Sequence, residues 1–314
     1  MSLGWYLAQG LYPLGPSSSD EEEGPCELPD GKLVCGPHGL VICGKCCTDY
    51  SFMDEDEDED DDDFINESVT GSGSIKVMNA ADYVPPSPDL MYGDEKRRGT
   101  GKVFPTKFTP PNRSILPTEL FRGQRTYAKL TRYIHRDDPR AILIFTDGAC
   151  LNNGQPNPKA GWAFVDGPGL KGKPSTASFR LESKGPFGDE GIQSSNRAEL
   201  RAVIAALRFR HWPGEGFTSI TFATDSEYVV EGSTKWAKTW VKNGWKTSAQ
   251  ADVKNKDLWE MLLGEAERWN DKGLSIRFWR IPRGWNETAD AAAKKAASED
   301  EVDDEWIDMM GMCV

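Results

Sequence analysis

The chain is short of apolar residues, of long hydrophobic runs and of anything resembling a secretory signal. Only 38% of its 314 residues are hydrophobic, too few for a chain folded from end to end, so a substantial part is expected to stay unfolded. No apolar run approaches the roughly 20 residues that cross a bilayer, so no membrane partner is expected. The start, Met1-Ser2-Leu3-Gly4-Trp5-Tyr6-Leu7, has no basic stretch ahead of an apolar core, which argues against export. The expectation is an intracellular protein of the cytoplasm or nucleus, and a monomer.

A net charge of −13 would by itself exclude most nucleic-acid binders, but the charge is unevenly spread. Residues 140–297 hold 23 Lys and Arg against 18 Asp and Glu, a balance of +5, and the remainder holds 14 against 32, a balance of −18. The acidity sits in the appendages, and the part that reads as folded is mildly basic. Four of the seven cysteines fall between Cys35 and Cys47. Without a signal peptide, such clustering favours metal binding over disulfides.

Residues 1–27 are expected to be disordered. Residues 28–53 form a compact segment that ends at ten consecutive acids, 54–63, which repel one another and cannot fold. The acidic and Ser/Gly/Pro-rich stretch 54–112 reads as linker. Residues 113–139 carry Ile115, Leu116, Leu120, Tyr127, Leu130, Tyr133 and Ile134 without a clean period and form a candidate docking segment. From 140 the pattern is strong. Strands are expected over 141–146, 161–165, 176–181, 219–224 and 274–281, with helices capped at Ser195-Asn196, opened by Tyr228-Val229-Val230, and covering 258–269 and 287–297. This order indicates an α/β domain over 140–298, a mixed five-stranded sheet with helices on both faces. The tail 299–314 is acidic and expected to fray, although Trp306, Ile307, Met309 and Met310 could pack.

Four acids stand at element ends: Asp147 at the end of the first of these strands, Glu199 in a helix's first turn, Asp225 at the end of the fourth strand and Asp290 early in the last helix. If the first and fourth strands are neighbours, Asp147 and Asp225 emerge side by side. Clustered carboxylates repel unless cations neutralise them, and oxygen-only ligation suits Mg²⁺ or Mn²⁺. Two such ions roughly 4 Å apart suit phosphodiester hydrolysis. Any one of these acids, taken singly, is equally a helix cap or a solvated charge.

The motifs around them are more specific. Phe145-Thr146-Asp147-Gly148-Ala149-Cys150, Asn196-Arg197-Ala198-Glu199-Leu200 and Thr224-Asp225-Ser226-Glu227-Tyr228-Val229 resemble, in order, the three signature blocks of the type 1 ribonuclease H family. Asn286-Glu287-Thr288-Ala289-Asp290 resembles its fourth. The resemblance covers about 140–297. It implies the ribonuclease H-like fold and cleavage of the RNA strand of an RNA–DNA hybrid, leaving 5′-phosphate and 3′-hydroxyl ends. It also implies two Mg²⁺ or Mn²⁺ ions on Asp147, Glu199, Asp225 and Asp290. A non-catalytic hybrid- or duplex-binding protein that keeps the fold is the alternative, and the four intact acids speak against it.

The stretch 232–256 holds Lys235, Lys238, Lys242, Lys246, Lys254 and Lys256 with Trp236, Trp240 and Trp245, and a single Asp. Lysines bind phosphates and aromatic faces stack on sugars or bases, although the tryptophans of a solvated amphipathic helix could equally be core. The segment resembles the basic protrusion of free-standing family members. By the same resemblance Cys150, Asn153, Ser195, Asn196 and Glu227 would line the groove that reads the hybrid; Glu227 departs from the Gln common there. Many family members also carry a histidine on the loop before the last helix. The only histidines here are His38, His135 and His211, none of them on that loop. Some members without it place an arginine seven residues before the last aspartate, as Arg283 stands to Asp290. Arginine cannot act as a base near neutrality, so Arg283 could neutralise charge or bind DNA phosphates.

Cys35-x2-His38-x4-Cys43-x2-Cys46 has the paired spacing of a structural zinc site, with Cys47 or Cys26 able to replace one ligand. About 25 residues cannot bury enough surface to fold alone, which strengthens the metal reading. Elemental analysis of protein purified without chelator tests it. The acids that follow would repel nucleic acid, which points this arm at a protein partner. The family resemblance is read as that of a eukaryotic member with an N-terminal Cys/His segment.

Overall fold

The computed structural model describes residues 96–126, 130–170, 173–247 and 250–311, together with five short strands ahead of them. These are β1 (Tyr12–Pro13), β2 (Pro25–Glu27), β3 (Leu33–Cys35), β4 (Ile42–Cys43) and β5 (Thr48–Asp49); β1, β2 and β3 pair in that order, and β4 pairs with β5. Cys35 ends β3 and Cys43 ends β4. His38 and Cys46, the other two expected zinc ligands, lie outside the described residues, as do the acids 54–63.

The main sheet has the strand order β11-β10-β9-β12-β13-β6. Its strands are β6 (Thr106–Lys107), β9 (Ala141–Leu151), β10 (Lys159–Leu170), β11 (Lys173–Arg180), β12 (Ser219–Thr224) and β13 (Ser275–Arg280). β9, β10 and β11 run antiparallel, whereas β12, β13 and β6 add in parallel beyond β9. The five expected strands are these last strands without β6, and the mixed sheet with helices on both faces is the observed fold. The apolar run of β9 explains its centrality: every residue from Ala141 to Cys150 is buried, as expected for a strand covered on both faces.

Side chains alternate across this sheet. Ile142, Ile144, Trp162, Phe164, Ile220, Phe222, Ile276 and Phe278 pack on helices α2 (Ser195–Phe209) and α5 (Lys256–Asp271). The opposite face carries Leu143, Phe145, Val165, Ala223 and Trp279. Ala149 and Ala163 meet Ala293 and Ala297 of helix α6 (Glu287–Ser298) there. A Cβ on Gly161 would overlap the α6 backbone, so the Ala-rich helix sits low on the sheet because both surfaces are nearly bare. Between β12 and α5 lie α3 (Glu227–Glu231), a π-helical stretch (Gly232–Trp236) and α4 (Ala237–Lys242), which follow one another without a break. Among the described residues no helix is long and apolar enough to cross a membrane.

Four expectations need correction. The helix cap is Ser194, whose side chain accepts the Arg197 amide, one residue before the expected position. Within the stretch read as linker, residues 97–102 lie against α5 and Thr106–Lys107 form β6. The described residues of 113–139 join the sheet: α1 (Pro117–Leu120) leads into β7 (Phe121–Arg125), which pairs with β8 (Thr131–His135), and β8 pairs with β9 at Leu143 and Ile142. The tail does not fray over its described length. Trp306 lies 3.7 Å from the Arg201 guanidinium, Asp308 bonds Arg208 at 2.8 Å, and the Gly311 amide reaches the Phe209 carbonyl at 2.8 Å.

Candidate active site

The sheet register brings the first two acids together. Phe145 pairs in parallel with Ala223, so two residues further on Asp147 and Asp225 stand at one level and on one face, at the carboxyl end of β12. Glu199 arrives from the other side of the sheet. A Cβ on Gly148 would overlap the backbone of Ala198 and Glu199, and this contact between β9 and the first turn of α2 sets Glu199 beside Asp147. Asp290 comes from α6, on the face that carries Asp147.

Three of the acids have donors of their own. The Ser226 hydroxyl donates to Glu199 Oε2. Asn286 Nδ2 donates to Asp225 Oδ1 at 2.8 Å and to the Thr146 carbonyl at 3.0 Å, tying the ends of β9 and β12 together. Lys294 Nζ lies 2.9 Å from Asp290 Oδ2. Asp147 differs: it is 3% exposed, and no hydrogen-bond donor or ion-pair partner reaches its carboxylate among the described residues. Burial pushes this carboxyl well above the usual carboxylate range, and the charges of Asp225, Glu199 and Asp290 push the same way; the Arg283 guanidinium opposes them. Among the described residues no three His, Cys, Asp or Glu side chains are drawn together as a closed ligand set, consistent with like charges turning to separate donors. The ligands on offer are carboxylate oxygens around a buried acid, which fits a hard divalent ion.

Arg283 sits in a short turn (Arg283–Trp285) with Nε 3.5 Å from Asp225 Oδ2. Neither described histidine belongs to this site. His135 Nδ1 accepts the Asp137 amide on the β8 edge, and His211 Nδ1 accepts the Gly214 amide.

The residues expected to line the hybrid groove divide. Asn153 and Ser195 are buried and bind each other, Asn153 Nδ2 donating to Ser195 Oγ at 3.1 Å, which anchors the β9–β10 loop to the start of α2 beside buried Asn196. Cys150 is a correction: its side chain is fully buried, with Sγ 3.7 Å from the Gln193 carbonyl, and offers a ligand no side-chain surface. Glu227 has a partner that sequence reasoning missed, Arg280 Nη2 at 2.9 Å from Oε2. The usable signal was the arginine at the end of β13, paired in register with Thr224. Ser226 and Asn286 were legible as motif members but not as the groups that orient Glu199 and Asp225.

On the basic segment Lys235, Lys238 and Lys242 are exposed. Lys246 is already engaged by Asp252 at 2.6 Å. Trp240 is a second correction: it is buried, 5.4 Å from Trp259 in the core, and so is structural. Trp236 is half-buried, 6.0 Å from Trp240.

Residues 139–298 match the RNase H family. A ribonuclease H of Treponema pallidum subsp. pallidum is 40% identical over 169 residues, 50% of this chain and 90% of the relative. A ribonuclease H of Pseudomonas savastanoi pv. phaseolicola is 36% identical over 159 residues, 51% of this chain and 94% of the relative. Among solved structures, LC9-RNase H1, described as a type 1 RNase H with the type 2 active-site motif, is 26% identical over 50% of this chain and 72% of its own, with a TM-score of 0.36.

Proposed function

The chain belongs to the RNase H family and is a ribonuclease H, and from that premise we propose that it hydrolyses the RNA strand of RNA–DNA hybrids with two Mg²⁺ or Mn²⁺ ions held by Asp147, Glu199, Asp225 and Asp290. The observation that carries the reading is Asp147, a buried carboxylate without a donor among three other acids. The cations would supply an activated water and charge neutralisation at the departing oxygen. The chain's own groups hold the acids in place: Asn286 fixes Asp225, and Ser226 fixes Glu199. Arg283 offsets negative charge beside Asp225 and, as a guanidinium, takes no proton near neutrality. Hybrids are told from DNA duplex by the 2′-hydroxyls of one strand and from RNA duplex by the deoxyribose of the other.

The test is purified protein with labelled hybrid, RNA duplex and DNA duplex, with Mg²⁺ or with EDTA. Cleavage confined to the RNA of the hybrid, dependent on the cation and leaving 5′-phosphate ends, is expected. Cutting in EDTA, or equal cutting of the DNA duplex, overturns the proposal.

The exposed lysines supply the phosphate contacts. Replacing Lys235, Lys238 and Lys242 together with Ala should weaken hybrid binding and flatten its salt dependence, each lost contact removing about 0.9 from the log–log slope. Lys246 is left out because Asp252 already neutralises it. Titrations at several salt concentrations read the slope, and an unchanged slope makes this a solvated surface without a substrate.

A further inference from the structure

We infer that residues 97–104, which precede the family-matched region, brace the basic protrusion and so set the affinity for the hybrid. The inference rests on the proposed role of that protrusion in binding. α4 continues α3 through the π-helical stretch Gly232–Trp236, and past that stretch it buries only Ala237 and Trp240. The lysine-bearing end of this run therefore has few inward contacts of its own, and outside support bears on how firmly its lysines are placed.

The strap does so from two sides. It is fastened to α5: the Gly99 amide donates to the Glu260 carbonyl at 2.7 Å, and Arg97 Nε to the Gly264 carbonyl at 3.1 Å. Glu267 Oε1 accepts from the Thr100 amide at 2.8 Å, the Thr100 hydroxyl at 2.9 Å and the Lys102 amide at 3.1 Å. A Cβ on Gly99 would overlap Leu263 and Gly264, and one on Gly264 would overlap the Arg97 carbonyl, so the two backbones lie against each other glycine to glycine. From this anchorage the strap reaches α4. Gly101, with φ +74°, would bring a Cβ within 2.7 Å of Val241, and the Phe104 ring lies 5.9 Å from Lys238 Nζ. Beyond Phe104 the chain joins the sheet as β6, and Lys107 pairs with Glu231 at 2.7 Å, at the end of α3 where the protrusion begins. The strap thus ties the lysine-bearing helix to α5 and to the sheet, and none of these contacts involves Asp147, Glu199, Asp225 or Asp290.

A brace of this kind acts on binding and not on bond cleavage, because it lowers the ordering cost of the binding surface. In the full chain, Phe104→Ala should raise the hybrid Kd and KM by about three- to tenfold near physiological salt, while kcat at saturating hybrid stays unchanged. Phe104→Tyr, which keeps the ring, should bind as the parent does. Phe108→Ala is the control for general loosening, since Phe108 packs on Phe121 and Trp279 on the other side of the sheet; it should lower the melting temperature without raising KM. A folded Phe104→Ala protein with parental Kd overturns the brace, and so does an equal rise in KM from Phe108→Ala. The lysine triple variant separates the two layers. If it binds normally the protrusion is not the hybrid surface and both readings fall; if it binds weakly while Phe104→Ala does not, only the brace falls.

Discussion

Asp147→Asn should abolish hydrolysis of the hybrid and, in the same protein freed of divalent ions, raise the melting temperature. The two effects have one cause. Asp147 lies buried without a donor, and three further acids raise the cost of its charge. An uncharged amide of the same shape removes that repulsion. The gain should be on the order of 1–3 kcal/mol, the scale on which burial and like charges act on a carboxylate. Its pH dependence has a definite sign. Burial holds the folded-state pKa of Asp147 above its unfolded value, so its favourable contribution is present at low pH and is lost as pH rises through the folded-state value. The advantage of the Asn variant should therefore be greatest at neutral pH and shrink on acidification. On the proposed role of Asp147 as a metal ligand, Mg²⁺ should stabilise the folded parent more than the variant. Thermal melts between about pH 4 and pH 8, with EDTA or Mg²⁺, measure all three trends against reference carboxylate values. A variant less stable than the parent at neutral pH in EDTA would mean that the Asp147 carboxylate is satisfied by a donor of its own, and residual cleavage would remove it from the chemistry.

The same acids show what the sequence could and could not convey. Their motifs and strand positions were readable because strand and helix periods are local properties of the chain, and the parallel pairing of β9 with β12 then made Asp147 and Asp225 neighbours. What escaped was carried by contacts with no local signature. β7 buries only its first residue, and β8 turns the charged Arg132 inward against Asp166 at 2.6 Å and Glu215 at 3.1 Å; neither strand shows the apolar alternation that marks a half-buried sheet. The strap 97–104 is rich in Gly, Arg and Lys, a composition shared with linkers, and its fit depends on a glycine in α5 more than 160 residues away. Trp306 reads as part of an acidic tail until Arg201 is seen beneath it. Trp240 stands among lysines in sequence and against Trp259 in space.

Those non-local contacts carry the second large effect. A fragment of residues 139–298, the family-matched region, holds all four acids, and on the sequence alone residues 140–298 are expected to fold and cleave. The packing argues otherwise. The fragment loses Leu120, Phe121, Ile134 and Trp306, all buried, at roughly 1.5–3 kcal/mol each as an upper estimate. It also loses Arg132 and leaves Asp166 without its buried cation, a change that typically costs about 3–5 kcal/mol. Together these rival the whole net stability of a domain, about 5–15 kcal/mol. The bacterial relatives consist of little more than this region, 90% of the Treponema protein being aligned, so the region can stand alone where its surfaces are built to be exposed. In this chain Leu143, Phe145 and Trp279 instead lie under β7, β8 and α1. Residues 96–311 should therefore melt cooperatively and cleave hybrid, while 139–298 should be largely unfolded at 37 °C. Asp166→Asn within the shorter fragment should recover part of the loss by removing the stranded charge. Circular dichroism melts of the three proteins decide the matter, and a 139–298 fragment melting within a few degrees of 96–311 would show that the β7–β8 pair, strap and tail are decoration on a self-sufficient core.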